Sequence, residues 1–216
     1  MHEGEAPEGA GHAGSSPASL REASLRRHTV RVFVAGLVSG ALACVAAWLF
    51  QDTPESAWSA AARLTAQVSA LLFLAAFSAS ALARLWPAPA TAWLLRERRG
   101  LGLGFCAAHG VHLVAVIGRS MTGEVPGPVA IVGGGIAYLW LVAMAVTSTD
   151  RAVARIGARR WRRLHAWGMH YLWAIFAVGY LSRVVRQDVP LVHALLFTLF
   201  VYVMLLRIYQ RLHPAR

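Results

Sequence analysis

The run GLGLGFCAAHGVHLVAVI, residues 100–117, decides the fold. It carries no Asp, Glu, Lys or Arg, and Arg98 and Arg99 precede it. At ~1.5 Å per residue such a helix spans most of a bilayer's ~30 Å hydrocarbon core. Two ionisable side chains interrupt it, His109 and His112. Five further apolar runs repeat the pattern at residues 32–50, 64–85, 129–146, 164–181 and 189–206. The expected fold is all-α, an integral membrane bundle of six transmembrane helices.

Composition agrees. Of 216 residues, 57% are hydrophobic and 14% charged, against about 25% charged in an average soluble domain. Six spans of ~20 residues would use almost all of these apolar residues, leaving no room for a separate soluble catalytic domain. Three segments follow from the pattern. Residues 1–28, rich in Gly, Ala, Ser, Pro and Glu, read as a disordered tail without a cleavable signal peptide. Residues 29–208 hold the six helices, and residues 209–216 form a short second tail.

All 21 basic residues are arginine, against 10 acidic ones. A surplus of this size could mark a nucleic-acid binder. In so apolar a chain it reads instead as positive-inside orientation, with no nucleic-acid partner. Seventeen arginines fall in the tails and the connections after the second and fourth runs, leaving Arg63, Arg119, Arg183 and Arg186 for the other side. Both termini are therefore expected on the cytoplasmic face of the inner (plasma) membrane. Cys44 and Cys106 lie inside apolar runs and read as small hydrophobes.

The chemistry concentrates in the histidines. His109, His112, His165, His170 and His193 lie in or at the edge of three spans, and these spans hold no Asp or Glu to build a proton relay. Intramembrane ionisable groups are costly and mark function, and neutral imidazole is a standard haem-iron ligand. Helical rise sets which could share an iron. Measured from the cytoplasmic side, His112 lies roughly 18 Å deep, His193 roughly 24 Å, His109 roughly 13 Å and His170 roughly 9 Å, with His165 almost at the edge. His112 and His165 are poor partners on that scale. Small residues, Gly102 with Gly104 and Gly133 to Gly135, allow close helix packing or the approach of a flat cofactor.

The segment from Arg98 to His112 resembles the Arg-Arg-x-Leu-Gly-Leu stretch leading to a haem-ligand histidine in the third span of ferric reductase-like transmembrane proteins. Thr147-Ser-Thr149 with Ile156-Gly-Ala-Arg-Arg-Trp-Arg-Arg-Leu-His165 resembles a second signature of that family. The nearest subgroup is the haem-binding membrane subunit of methionine sulfoxide reductase systems. The resemblance implies haem b, one or two per chain, held between spans three and five, with His112 and His165 at ligand positions. It also implies electron flow from a separate flavoprotein carrying FMN, or from a quinone pool, to a separate reductase. Two positions depart from the pattern. Val178 stands where the family has its second span-five histidine, and Arg98 stands where related two-haem oxidases have another. Three readings follow: His193 replaces the missing partner of His112, or His109 and His170 pair at mid-membrane, or the fold persists without haem as a scaffold subunit. Trp161, Trp167, Tyr171 and Trp173 could flank the porphyrin or form an interfacial belt. Arg159 to Arg163 could meet propionates or serve only as a positive-inside loop.

Overall fold

The computed structural model describes residues 17–186 and 191–213, all helical where regular. Eight helices follow in order among these residues: α1 (Pro17–Leu49), α2 (Pro54–Leu85), α3 (Pro89–Arg96), α4 (Arg98–Met121), α5 (Pro128–Val146), α6 (Asp150–Ile156), α7 (Ala158–Val185) and α8 (Leu191–Leu212). The boundaries are written in the sequence. Pro54, Pro89 and Pro128 open their helices, where the missing N–H is no loss. Thr53 caps α2 in a reciprocal box with Ser56, and Thr149 caps α6. Gly157, at φ 83°, breaks α6 from α7, a backbone region that only glycine enters without strain.

Six long helices match the six apolar runs, and five of them, α1, α2, α4, α5 and α8, are long and apolar enough to cross a membrane. The helix α7 is long enough, but histidines, tyrosines, tryptophans and glycines dilute its apolar stretch, and its first turns carry Arg159, Arg160, Arg162 and Arg163. The short helices α3 and α6 occupy connections that the apolar pattern had left as loops. At the other end, α1 starts at Pro17, so the helix reaches back into the stretch expected to be a tail; residues 1–16 and 214–216 lie outside the described residues. Val189, the expected start of the last run, does too.

The helices α1, α2 and α4 pack together, α8 joins through α2 and α7, and α5 leans on α7 and α4. A bilayer offers no hydrophobic drive between helices, so close fit must hold them. At the α1–α4 crossing a Cβ on Gly36 would collide with the backbone of Gly104. Gly102, two residues before Gly104 on α4, has open space around it. At the centre Phe73 is fully buried and meets Phe77, Phe105, Phe176 and Phe200 at ring separations of 5.3, 5.4, 5.5 and 5.9 Å. Rings from α2, α4, α7 and α8 thus interlock in one layer. The outer faces are apolar: Leu49 is 74% exposed, Val129 87% and Leu139 71%. Such faces suit lipid, and the chain is a multi-pass membrane protein. Cys44 and Cys106 are half-buried thiols.

Candidate functional site

Beyond the phenylalanine layer, toward the end carrying the α1–α2, α4–α5 and α7–α8 connections, a cavity of about 470 Å³ opens between α2, α4, α5, α7 and α8. Cofactor pockets commonly span ~300–1,000 Å³. Three of the five intramembrane histidines line it: His109 and His112 from α4, and His193 from α8. Much of the remaining wall is apolar or small, including Ala66, Gly134, Gly135, Ile175 and Phe176, and Arg63, Arg119 and Arg183 also line it. Gly134, Gly135 and Gly179 have no atom within 4 Å of where a Cβ would stand, so each leaves width along the slot.

The hydrogen bonds of His112 determine which nitrogen it can offer. Its Nδ1 lies 3.1 Å from Thr65 Oγ1. The single hydroxyl proton of Thr65 is directed to the carbonyl of Ala61 at 2.6 Å, so toward the imidazole Thr65 can only accept. The network therefore assigns the proton to His112 Nδ1 and leaves Nε2 with its lone pair. A histidine that donates one ring N–H to an oriented acceptor while the other nitrogen faces a pocket is the usual form of a metal-ligating imidazole.

His165 carries the same device the other way round. Its Nε2 lies 3.3 Å from Thr147 Oγ1, and Thr147 donates to Ala143 O at 2.6 Å. Here Nε2 itself holds the proton and is covered. Trp161 packs on the ring at 4.4 Å and donates to Thr147 O at 3.0 Å. His165 does not line the cavity. Nor does His170, whose Nδ1 donates to Ala166 O at 2.6 Å and whose ring meets Phe77 edge-on at 5.6 Å. Ring contacts run from His109 through Phe105, Phe73 and Phe77 to His170, and of these two histidines His109 alone lines the cavity.

His109 is 8% exposed and stacks on Tyr138 at 5.0 Å, with Phe105 at 5.3 Å and Phe176 at 5.4 Å. The Tyr138 hydroxyl donates to the His109 carbonyl at 2.9 Å. Among the described residues its Nδ1 is buried without a hydrogen-bond partner. His193 is 3% exposed with its ring 6.0 Å from Tyr180. Val178 is 62% exposed and lies off the cavity. The aromatic residues near the start of α7 hold helices together: Tyr171 donates to Gly133 O at 3.2 Å and Trp173 to Phe200 O at 2.9 Å. Trp167 points outward, and Arg159 to Arg163 lie at the opposite end from the cavity.

Among the described residues no three His, Cys, Asp or Glu side chains gather to hold a bare metal ion. A porphyrin needs only axial ligands, because its own nitrogens fill the other positions. A largely apolar slot with imidazoles from two helices fits such a group. The roles of Thr65 and Thr147 escaped the sequence reading. Their only signal was a hydroxyl set in an alanine-rich or apolar run.

The chain is similar to two proteins named protein-methionine-sulfoxide reductase heme-binding subunit MsrQ. One is from Yersinia pseudotuberculosis serotype O:1b (strain IP 31758), 37% identical over 128 aligned positions that take in 51% of this chain and 61% of the relative. The other, from Yersinia pestis (strain Pestoides F), is equally identical over 51% of this chain and 60% of its own length. The match thus spans about three-fifths of these curated relatives. No family model matches the chain, and no solved structure does.

Proposed function

We propose that this chain is a membrane b-type cytochrome, the haem-binding subunit of a two-component reductase. It takes single electrons from a cytoplasmic-side flavoprotein or quinol and passes them to a separate reductase at the opposite face. The observation that carries this reading is the gathering of His109, His112 and His193 around one apolar cavity. The likeness to haem-binding subunits of methionine sulfoxide reductases supports the catalytic subunit of such a system as the acceptor. In this reading six helices cross the inner membrane, α7 being the sixth, with the arginine-rich end and both termini cytoplasmic.

When bound, haem b would supply a one-electron iron centre whose potential follows the residues that hold it and their surroundings. His112 and His193 would hold the iron. Thr65 fixes the tautomer and ring angle of His112, while His109, Tyr138 and Phe176 form a dry wall. His165 and His170 are assigned to packing and hydrogen bonding within the bundle.

A reduced-minus-oxidised spectrum of the purified full chain tests the reading. It should show b-type bands that His112→Ala and His193→Ala abolish and that His165→Ala and His170→Ala retain. A wild-type spectrum without bands overturns the cytochrome reading in favour of a haemless scaffold subunit.

A further inference from the structure

Four arginines stand apart from the arginine-rich end, and three of them, Arg63, Arg119 and Arg183, line the histidine cavity. Arg119 and Arg183 sit in the last turns of α4 and α7, and Arg63 lies within α2 on the stretch that also contributes Ala62 and Ala66 to the wall. Each ends a continuous lining stripe. On α4 the stripe runs His109, His112, Val116, Arg119, residues three or four apart that share a helix face. On α7 it runs Leu172, Phe176, Gly179, Arg183. Both helices pass from imidazole or apolar wall at depth to guanidinium at the rim. Arg119 stands about 10 Å above His112 along α4, seven residues at ~1.5 Å each.

The rim already receives a carboxylate. Arg119 Nε donates to Glu124 Oε2 at 2.6 Å, and Ser59 Oγ donates to the same oxygen at 2.9 Å. Among the described residues no acidic side chain lines the cavity itself, while these three arginines do. Guanidinium remains charged at any working pH and presents a planar fork that matches carboxylate oxygens.

We infer that Arg63, Arg119 and Arg183 form a carboxylate-binding rim that takes the propionates of a porphyrin seated in the cavity. The inference rests on the haem reading above. Held so, the propionates would lie toward the arginine-poor end of the bundle.

Full-length protein made without haem and held in lipid nanodiscs can be titrated with haem b and with haem dimethyl ester, whose carboxylates are blocked. Soret absorbance reads binding of each. The wild type should bind haem at least about tenfold more tightly than the ester, the scale of one charge-assisted contact. Arg63→Gln and Arg183→Gln should each bring that ratio toward one, and Arg63→Lys should restore part of it. Helical content and melting of each variant verify that the bundle is intact. Equal binding of haem and ester by the wild type, or a ratio unchanged in the variants, overturns the rim; that result is also expected if these arginines hold lipid phosphate. Binding of neither form overturns the haem reading and the rim together, a result distinct from both.

Discussion

Thr65 accepts a hydrogen bond from His112 Nδ1 at 3.1 Å, and it can only accept, because its own proton goes to Ala61 O. One hydroxyl on α2 therefore sets the ring angle and tautomer of a side chain on α4.

Thr65→Val keeps the volume and removes the acceptor. Haem affinity is expected to fall by about 10–100-fold, the range found when an outer partner of a metal-bound histidine is lost, while Thr65→Ser retains it. The check is haem titration together with the midpoint potential. An unchanged potential and affinity in Thr65→Val would mean that Thr65 does not position His112.

His109 and His193 should part company. His109 is packed by Phe105, Tyr138 and Phe176, an environment that accepts an aromatic hydrocarbon. His109→Phe should keep its b-type bands, and His193→Phe should lose them. Pyridine-haemochrome content per mole of purified chain decides the matter.

Gly36→Ala should destabilise the bundle by about 1–3 kcal/mol, the usual cost of overpacking, since its Cβ would meet Gly104 backbone. Gly102→Ala, with nothing within 4 Å, should be neutral or stabilising by up to about 1 kcal/mol through reduced chain entropy. Thermal unfolding in detergent compares the two. Equal effects would remove the crossing as the reason for Gly36.

The Glu124 carboxyl, outside the membrane-spanning helices, titrates below its ordinary range, chiefly because Arg119 donates to it and secondarily because Ser59 does. A carboxylate with a depressed folded-state pKa contributes stability above its ordinary pKa and loses it as pH falls through the depressed one. The tether joining α2, α4 and their neighbouring loop should therefore hold at neutral pH and release in acid. Melting temperature against pH should decline more gently in Glu124→Gln than in the wild type. Parallel curves would show that the tether does not stabilise the fold.

The bundle was legible in the sequence because uncharged runs of membrane length have few other uses. α7 was the marginal case, since one helix must carry arginines, histidines and aromatic residues at once. The short α3 and α6 were missed, being too brief for hydrophobic periodicity to register. The histidines were legible as a group, but which of them share a cavity was not. Helical rise gives depth along an axis and says nothing about which way a side chain faces. By depth alone His109 and His170 were a fair match, yet of the two only His109 lines the cavity. Likewise Val178 is near the right level and faces outward. Thr65 and Thr147 could not be read beforehand because a hydroxyl's role depends on which carbonyl takes its proton.

The interlocked phenylalanine layer has a further consequence, for insulation. Rings from four helices meet across the middle of the bundle, and close aromatic packing of this kind excludes water. The cavity lies on one side of that layer, toward the ends of α4 and α7 that carry Arg119 and Arg183. A group seated there would be separated from the arginine-rich end by aromatic rings rather than by water.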